Sequence, residues 1–320
     1  MELQQFIDSH SNWLDIIRKN GLKIRKYNKY NSVLITHYYN KPLTFTDEND
    51  YWKMYCRGAI INIKSNKVIC LPPVKSQELT IDRTKLEGNA LTEYQYLIDG
   101  TMINLFNVNN EWILSTRSEI GGYNKWKNKK SFKKMFYECI QFDINELNKN
   151  YCYSFVMRHK DNQNISLITT NEAYLVEVYD FSNDTVERLP VTNYPKNIFL
   201  KIENNNYEIN RDIETDFNFN DFNFKGITFK NGTKRYKVIN TLFEKVSKLV
   251  THSNNDFIDY LELRKNKNLN EYLKYFPNKS IQFNKYREKL HDLTNELYTK
   301  YKNIYIFKKE EKNKIPYYLK

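Results

Sequence analysis

The chain has 320 residues, of which 40% are hydrophobic, and a formal net charge of +12. This length suits one large domain or two of ordinary size, with a core that 26 Tyr and 19 Phe make strongly aromatic. Few Gly and Pro, no apolar run of about 18 residues and the N-terminus MELQQFIDSHSNW predict no flexible linker, membrane span or secretory signal, so we expect a cytoplasmic protein.

The first 180 residues change from helical to strand-like patterning. Phe6, Trp13, Ile16 and Ile17 fall on one helical face, and the segment IRKYNKYNSVLITHYY then has strand composition. From Tyr55 onward, short β-rich runs recur, and turn-like segments such as KSNK and NVNN predict hairpins between them. The runs are GAIINI, KVICLP, TMINLFNV, EWILSTR, YCYSFVM, NISLIT and AYLVEVYDF. Residues 130–142 interrupt them with helical spacing.

The last third of the chain ends in helical patterning. After VERLPVTNYPKN come helix-like, acidic segments and then two predicted strands, FKGITFK and KRYKVIN, separated by an Asn231-Gly232 turn. Beyond Asn240, apolar residues recur at steps of three or four and predict a core-facing helix; they are Phe283, Tyr286, Leu290, Leu293, Leu297 and Tyr301. The predicted fold class is α+β, with a mixed domain over residues 1–240 and a basic helical domain over 241–320.

The positive charge is unevenly distributed. Residues 1–224 carry 28 Lys and Arg and 28 Asp and Glu, whereas residues 225–320 carry 22 and 10. An excess this concentrated suits a polyanionic partner such as a nucleic acid. The alternative is a lysine-rich surface enriched by an AT-rich genome.

Four cysteines have neither CxxC spacing nor histidines placed to form a metal site with them; they are Cys56, Cys70, Cys139 and Cys152. We predict that they are buried reduced thiols.

Several segments, read in order, resemble the phage-type RNA ligase 1 family of covalent nucleotidyltransferases. MYCRGAIINIKSNKVICLPPVKSQEL resembles its arginine-glycine strand and the segment after it, and IDGTMINLFNVNNEWILSTRSEIGG resembles its first motif. YCYSFVMRHKDNQNIS, FKGITF and KRYKVIN resemble the third, fourth and fifth motifs. The pattern covers roughly residues 50–245. It is also similar to uncharacterised ligase-like proteins of large cytoplasmic DNA viruses, which implies host cytoplasm or a viral factory as the location.

The resemblance implies catalytic groups that this chain lacks. In the family, a first-motif lysine attacks the α-phosphate of ATP or GTP, acidic residues hold nucleotide and magnesium, and two fifth-motif lysines neutralise charge on the phosphate. Here Leu97 stands at the nucleophile position and Ser154 at the third-motif glutamate. Lys225 replaces the fourth-motif glutamate, and Ile239 replaces one of the two lysines. We therefore expect no catalytic residue, no metal and no cofactor.

A set of polar residues survives as the expected nucleotide or RNA contacts: Arg57, Asp99, Arg117, Arg158, Lys225, Lys234, Arg235 and Lys237. For Arg57 and Arg117 the alternative is a solvated surface arginine, and for Asp99 it is a cap of the turn at Gly100. The amides around Gly121 are candidates to cradle a phosphate. Strand alternation places Arg235 and Lys237 on one face and Lys234 on the other.

Aromatic residues interleaved with lysines offer base stacking as an alternative to core packing; they are Trp112, Tyr123, Trp126 and Phe132, beside Lys125, Lys127, Lys129 and Lys130. His159 lies in the polar segment RHKDN, which predicts a hairpin loop rather than a catalytic site.

Three functions remain open. The first is a catalytically degenerate RNA-ligase-like protein that binds RNA or an RNA-processing or translation partner through the former nucleotide cleft and the basic C-terminal region. The second is an active ATP- or GTP-dependent ligase or capping-type transferase that uses magnesium and a relocated amine, Lys53 or Lys225, of which Lys225 is better placed. The third is a structural subunit of a viral transcription, capping or translation assembly.

Overall fold

The computed structural model describes residues 1–37, 48–79, 93–125, 130–183, 185–189, 191, 218–231, 234–251, 253 and 255–312. The chain divides into two compact units, Met1–Lys245 and Val246–Lys320. None of the described helices is long and apolar enough to cross a membrane.

Three β-sheets build the first unit. The N-terminal sheet has the order β1-β2-β3-β4, with β1 Leu22–Tyr27, β2 Ser32–His37, β3 Ile60–Asn62 and β4 Lys67–Cys70. The central sheet has the order β11-β10-β9-β7-β8, with β7 Thr101–Val108, β8 Glu111–Ser115, β9 Tyr151–Arg158, β10 Glu172–Asp180 and β11 Glu187–Leu189. The third sheet has the order β5-β13-β12-β6, with β5 Gln77–Glu78, β6 Glu93–Tyr96, β12 Gly226–Asn231 and β13 Lys234–Ile239. Among the strands that the structure describes, all pairs are antiparallel except β5 with β13.

The helices of the first unit are short: α1 Glu2–Ser9, α2 Trp13–Lys19 and α3 Phe132–Cys139, and α4 Thr241–Leu249 spans the division between the units. Ser131 begins α3, because its side chain accepts a hydrogen bond from the Lys134 amide at 3.3 Å. In the second unit, α5 Asp256–Lys265, α6 Leu269–Tyr275 and α7 Ser280–Tyr301 pack around Tyr260, Leu263 and Phe283. The mixed α+β class predicted from the sequence is therefore confirmed.

The predicted hairpins form where turn residues permit them. Lys67–Cys70 pairs with Ile60–Asn62 across KSNK, and β7 pairs with β8 across Asn109 and Asn110. Both of these asparagines have positive φ, 52° and 65°, as a two-residue turn of type I′ requires. FKGITFK and KRYKVIN also pair as β12 and β13, although the turn residue Gly232 lies outside the described residues. The acidic segments after residue 191 likewise lie largely outside them.

One predicted strand is wrong. NISLIT (164–169) forms a loop, because the amides of Ile165 and Ser166 donate to a side-chain carboxylate instead of a neighbouring strand. The predicted core face of α7 is also wrong in its second half. Phe283 is buried, but Leu293, Leu297 and Tyr301 are exposed.

Two cores lie on opposite faces of the central sheet. One face packs with the N-terminal sheet, α1 and α2 around Ile35, Ile60 and Trp13, and the other packs with α3 around Phe136 and Phe155. The four cysteines are buried free thiols, as predicted. Successive side chains of β9 alternate between the α3 core and the opposite face of the central sheet, on which Ser154 lies.

Candidate functional site

The residue at the nucleophile position lies where β6 ends beside the start of β12. The Leu97 amide donates to the Gly226 carbonyl at 2.8 Å, which extends the pairing of the two strands by one bond. Leu97 therefore lies beside Lys225, the residue before Gly226, and the structure brings the first and fourth motif segments together.

Asp99 holds a loop in place. Its Oδ2 accepts hydrogen bonds from the Ile165 amide at 2.6 Å and the Ser166 amide at 3.0 Å. Its Oδ1 lies 3.4 Å from the Lys225 ammonium, and the Asp99 side chain is only 10% exposed. The carboxylate thus anchors a segment 66 residues further along the chain, a role that neither the turn cap nor the ligand contact considered from the sequence included.

The same loop is held from two other sides. Its Leu167 amide donates to Asn223 Oδ1 at 2.8 Å, and the Ser166 hydroxyl donates to the Asn223 carbonyl at 3.1 Å. Arg158 Nη2 donates to the Leu167 carbonyl at 3.5 Å. Arg158 is therefore placed to support this loop, and RNA contact by Arg158 stays a prediction.

The two amines considered as relocated nucleophiles differ in their surroundings. Lys53 lies 2.7 Å from Asp50 and is 11% exposed, so it is paired within its own 3₁₀ helix, Glu48–Tyr55. Lys225 is 27% exposed, and its ammonium lies 5.3 Å from the centre of the Phe243 ring as well as beside Asp99. Of the two, Lys225 is the one beside Leu97, the expected nucleophile position.

The donor set around this position does not fit a magnesium ion, which prefers several hard oxygen ligands. Ser154 is fully buried, and its hydroxyl donates to Asn104 Oδ1 at 2.8 Å. The fourth-motif position holds the cation Lys225, and the carboxylate of Asp99 is already bonded. We therefore derive no metal-dependent step for this chain.

Three cations gather between the arginine-glycine segment and β13. We call Arg57, Lys75 and Lys237 the cation cluster. Burial lowers the pKa of Lys75, and the nearby positive charges of Arg57 and Lys237 lower it further. Lys237 Nζ also lies 2.8 Å from the largely exposed carboxylate of Glu78, on the neighbouring strand β5. The cluster brings together residues that are about 180 positions apart, as the sheet pairing of β5 and β13 requires.

Lys75 is a candidate that the sequence reasoning missed. It lies in LPPVKS, inside the segment that resembles the arginine-glycine strand and its continuation. The two prolines before it predict an extended segment rather than a helix, and this was the available signal.

Arg117 is exposed, and its backbone closely approaches Gly58. One of the amides considered in the glycine turn after it is already bonded within the protein. The Gly121 amide donates to the Leu114 carbonyl at 2.6 Å, and Thr116 Oγ1 accepts from the Ser118 amide at 3.3 Å. RNA contact by the Arg117 side chain stays a prediction.

The remaining basic pair lies at the other end of the β12–β13 hairpin. Arg235 and Lys234 line a cavity together with the buried pair Lys230 and Glu177. Lys234 and Arg235 both line this cavity although they are consecutive in β13, and the alternation of side chains predicted for β13 stays a prediction.

Two of the four aromatic residues considered for base stacking belong to the core. Phe132 is buried, and Trp112 packs against the α3 core. Tyr123 remains exposed, with the Lys133 ammonium 5.6 Å from the centre of its ring. Trp126, Lys127 and Lys129 lie outside the described residues.

His159 is buried and belongs to a network of polar side chains. Its Nδ1 accepts from the Asp161 amide at 3.0 Å, so the ring proton lies on Nε2, which donates to Glu138 at 2.8 Å. Lys130 Nζ lies 2.8 Å from Glu138 and 2.9 Å from Asp161. A metal ion bound here would have to displace the Lys130 ammonium and the Nε2 proton of His159. The side chains of Glu138, His159 and Asp161 therefore already have partners without a metal ion.

The architecture matches that of ATP-dependent ligases. An archaeal ATP-dependent RNA ligase superposes with a TM-score of 0.50 at 14% identity, covering 77% of this chain and 65% of its own. A protein of Aquifex aeolicus assigned as an ATP-dependent DNA ligase gives a TM-score of 0.49 at 14% identity, covering 92% of this chain and 76% of its own, which is too weak to support any inference. No protein-family model matches the sequence, and no curated protein matches it.

The fold is therefore the nucleotidyltransferase fold of ATP-dependent ligases, followed by a helical region. At 14% identity this similarity shows the fold alone, and the chain spans only 65% of the archaeal ligase.

Proposed function

We propose that this protein binds single-stranded RNA along the cation cluster and carries out no covalent nucleotide transfer. One combination of features carries the proposal. Leu97, which has no amine, occupies the expected nucleophile position, and the three cations Arg57, Lys75 and Lys237 lie near one another. Burial disfavours the charged form of Lys75 in the free protein, and the like charges of Arg57 and Lys237 disfavour it further. A phosphodiester backbone would neutralise them, which is the interaction expected of a polyanion groove.

The basic residues from position 225 onward are distributed over both units of the chain. Residues 225–245 hold 6 Lys and Arg against 1 acidic residue, and residues 246–320 hold 16 against 9. Part of the excess thus belongs to β12, β13 and the residues after them in the first unit. The second unit carries its own excess, which supports the proposal that it adds further phosphate contacts.

RNA is the expected partner rather than DNA because the motif resemblance concerns RNA-joining enzymes. The test is a titration of a fluorescent oligoribonucleotide over a series of salt concentrations, with DNA of the same sequence beside it. Three phosphate contacts should give a slope of log affinity against log salt of about −2. An affinity that does not change with salt would rule out phosphate contacts.

Replacing Lys75 with glutamine should weaken RNA binding and make the salt slope shallower by about 0.7, the loss of one contact on a single strand. Lys64→Gln is the matched control, because Lys64 is exposed on the β3–β4 turn and lies outside the cluster. Equal slopes for the two variants would remove Lys75 from the proposed groove.

Incubation with α-labelled ATP or GTP and magnesium should leave no label on the denatured protein. Covalent transfer needs an amine that attacks the α-phosphorus, forms a P–N bond and releases pyrophosphate, and Leu97 has no lone pair for this attack. A labelled band that is lost in Lys225→Met would establish the relocated-amine alternative, because Lys225 is the amine beside this position. Lys53→Met serves as the control amine, since Lys53 is paired with Asp50.

A further inference from the structure

A cavity of about 300 Å³ in the first unit is lined by α1, by β10 and β11 of the central sheet, and by β12 and β13 of the third sheet. Its polar lining includes Glu2, Tyr55, Glu177, Arg188, Lys230, Lys234 and Arg235. The volume is at the lower end of the range for small-molecule sites, which runs from about 300 to 1,000 Å³. We call it the junction pocket.

The junction pocket has an excess of positive charge. Its lining includes four basic residues, which are Arg188, Lys230, Lys234 and Arg235, and two acidic residues, which are Glu2 and Glu177. Lys230 and Glu177 form a buried ion pair of 2.6 Å, and Glu2 accepts a hydrogen bond from the Tyr55 hydroxyl at 2.9 Å. Among the lining residues, basic side chains therefore outnumber acidic ones by two, four against two.

The buried carboxylate responds to this excess. Burial alone would raise the pKa of Glu177, but the charges of Lys230, Arg188 and Arg235 lower it overall. Arg188 Nε lies 3.8 Å from Glu177 Oε1, too far for a good hydrogen bond. The geometry thus surrounds one acid with three cations and leaves room beside them.

The junction pocket is separate from the nucleophile position. Lys225 precedes β12 and Lys230 lies near its end, and five strand residues span roughly 16 Å. No residue of the cation cluster is among the lining residues.

We propose that the junction pocket binds a terminal phosphate group, carried either by a nucleoside monophosphate or by the end of an RNA strand. A terminal phosphate carries close to two negative charges near neutral pH, which matches the excess of cations. Arginine is well suited to this ligand, because its planar guanidinium donates to two phosphate oxygens at once. The mononucleotide form is independent of the proposed RNA binding, whereas the RNA-end form rests on it.

The first test is calorimetric titration of the full chain with inorganic phosphate and with adenosine 5′-monophosphate. Arg188→Gln should weaken binding about tenfold, the usual size of a lost charge-assisted hydrogen bond. Lys234→Gln should weaken it severalfold, and because Lys234 is exposed this variant leaves no buried charge unpaired. Arg18→Gln is the control, since Arg18 is exposed on α2 and does not line the pocket. Equal affinities in all variants, or no binding of either probe at millimolar concentration, would overturn the proposal.

The second test compares one oligoribonucleotide with a 5′-phosphate, a 3′-phosphate or no terminal phosphate. A preference for one phosphorylated end that Arg188→Gln abolishes identifies an RNA end as the source, and binding of the monophosphate without such a preference identifies a free nucleotide. RNA that binds equally in all forms, while neither phosphate nor monophosphate binds, leaves the proposed function standing and overturns the junction pocket. The reverse result, with monophosphate bound but RNA not, refutes the RNA function alone.

Discussion

Replacing Lys230 with methionine is expected to lower the free energy of unfolding by about 3–5 kcal/mol, the usual effect of removing one partner from a buried ion pair. Lys230 and Glu177 are 2% and 3% exposed, and Lys230 also donates to the Val176 carbonyl at 2.9 Å. The variant leaves the Glu177 carboxylate enclosed. Arg188 and Arg235 remain nearby, so the lower end of the range is expected.

Urea unfolding at neutral pH measures this loss, and Lys237→Met is the matched control. Lys237 makes the same kind of ion pair on the adjacent strand, but its partner Glu78 is 59% exposed. Exposed pairs contribute about 0–1 kcal/mol. Similar losses in the two variants would mean that the Lys230–Glu177 pair is not shielded from water.

The pH dependence of stability provides a second readout. The pKa of Glu177 is below its ordinary value of 4.5. A depressed carboxyl pKa contributes stability that is fully present above pH 4.5 and is lost as the pH falls through the lower native value. In Lys230→Met the Glu177 carboxyl loses the charge of Lys230 and its native pKa rises, so the stability lost between neutral and acid pH should be smaller than in the unmodified protein.

Gly226→Ala is expected to destabilise the protein by about 3 kcal/mol or more, because it combines backbone strain with steric overlap. Gly226 has φ +142°, and an added Cβ would lie 2.1 Å from the Val238 carbonyl oxygen on the paired strand. The fourth-motif glycine is thus required by the β12–β13 pairing, whatever residue precedes it.

Gly21→Ala separates the two causes. Gly21 also has positive φ, +78°, but nothing lies within 4 Å of its added Cβ. Thermal unfolding should therefore show a loss of only about 1 kcal/mol there, the conformational term alone. A loss at Gly226 no larger than at Gly21 would show that the strands separate to admit the methyl group.

Local patterns predicted the elements well where turn chemistry and periodicity agreed. Asn109 and Asn110 favour a tight hairpin by themselves, and the apolar spacing around Phe283 indicates a helix. NISLIT failed because its amides bond to Asp99, a partner 66 residues away that no local pattern reveals. The prediction that the second half of α7 faces a core failed for a related reason. Apolar periodicity identifies one face of a helix, but it does not show whether another element covers that face.

The sequence indicated which catalytic residues of the resembled family this chain lacks. It did not indicate which charged residues the fold brings together. Leu97, Ser154 and Lys225 could be placed by their motif neighbours alone. The cation cluster and the Lys230–Glu177 pair depend on register between strands of different sheets. A lysine in FKGITFK suggests an exposed side chain, and only the charge inside the apolar run LVEVY hinted at a buried partner.

The hydrogen bond between Ser154 and Asn104 limits the introduction of ligase-type catalytic residues into this chain. A glutamate at position 154 would be enclosed, with no exposed surface and with a neighbouring amide already committed. A lysine introduced at position 97 alone would lie beside Lys225, which carries the same sign. Either substitution made singly is therefore expected to destabilise the protein, and a ligase-type site would need several coordinated changes.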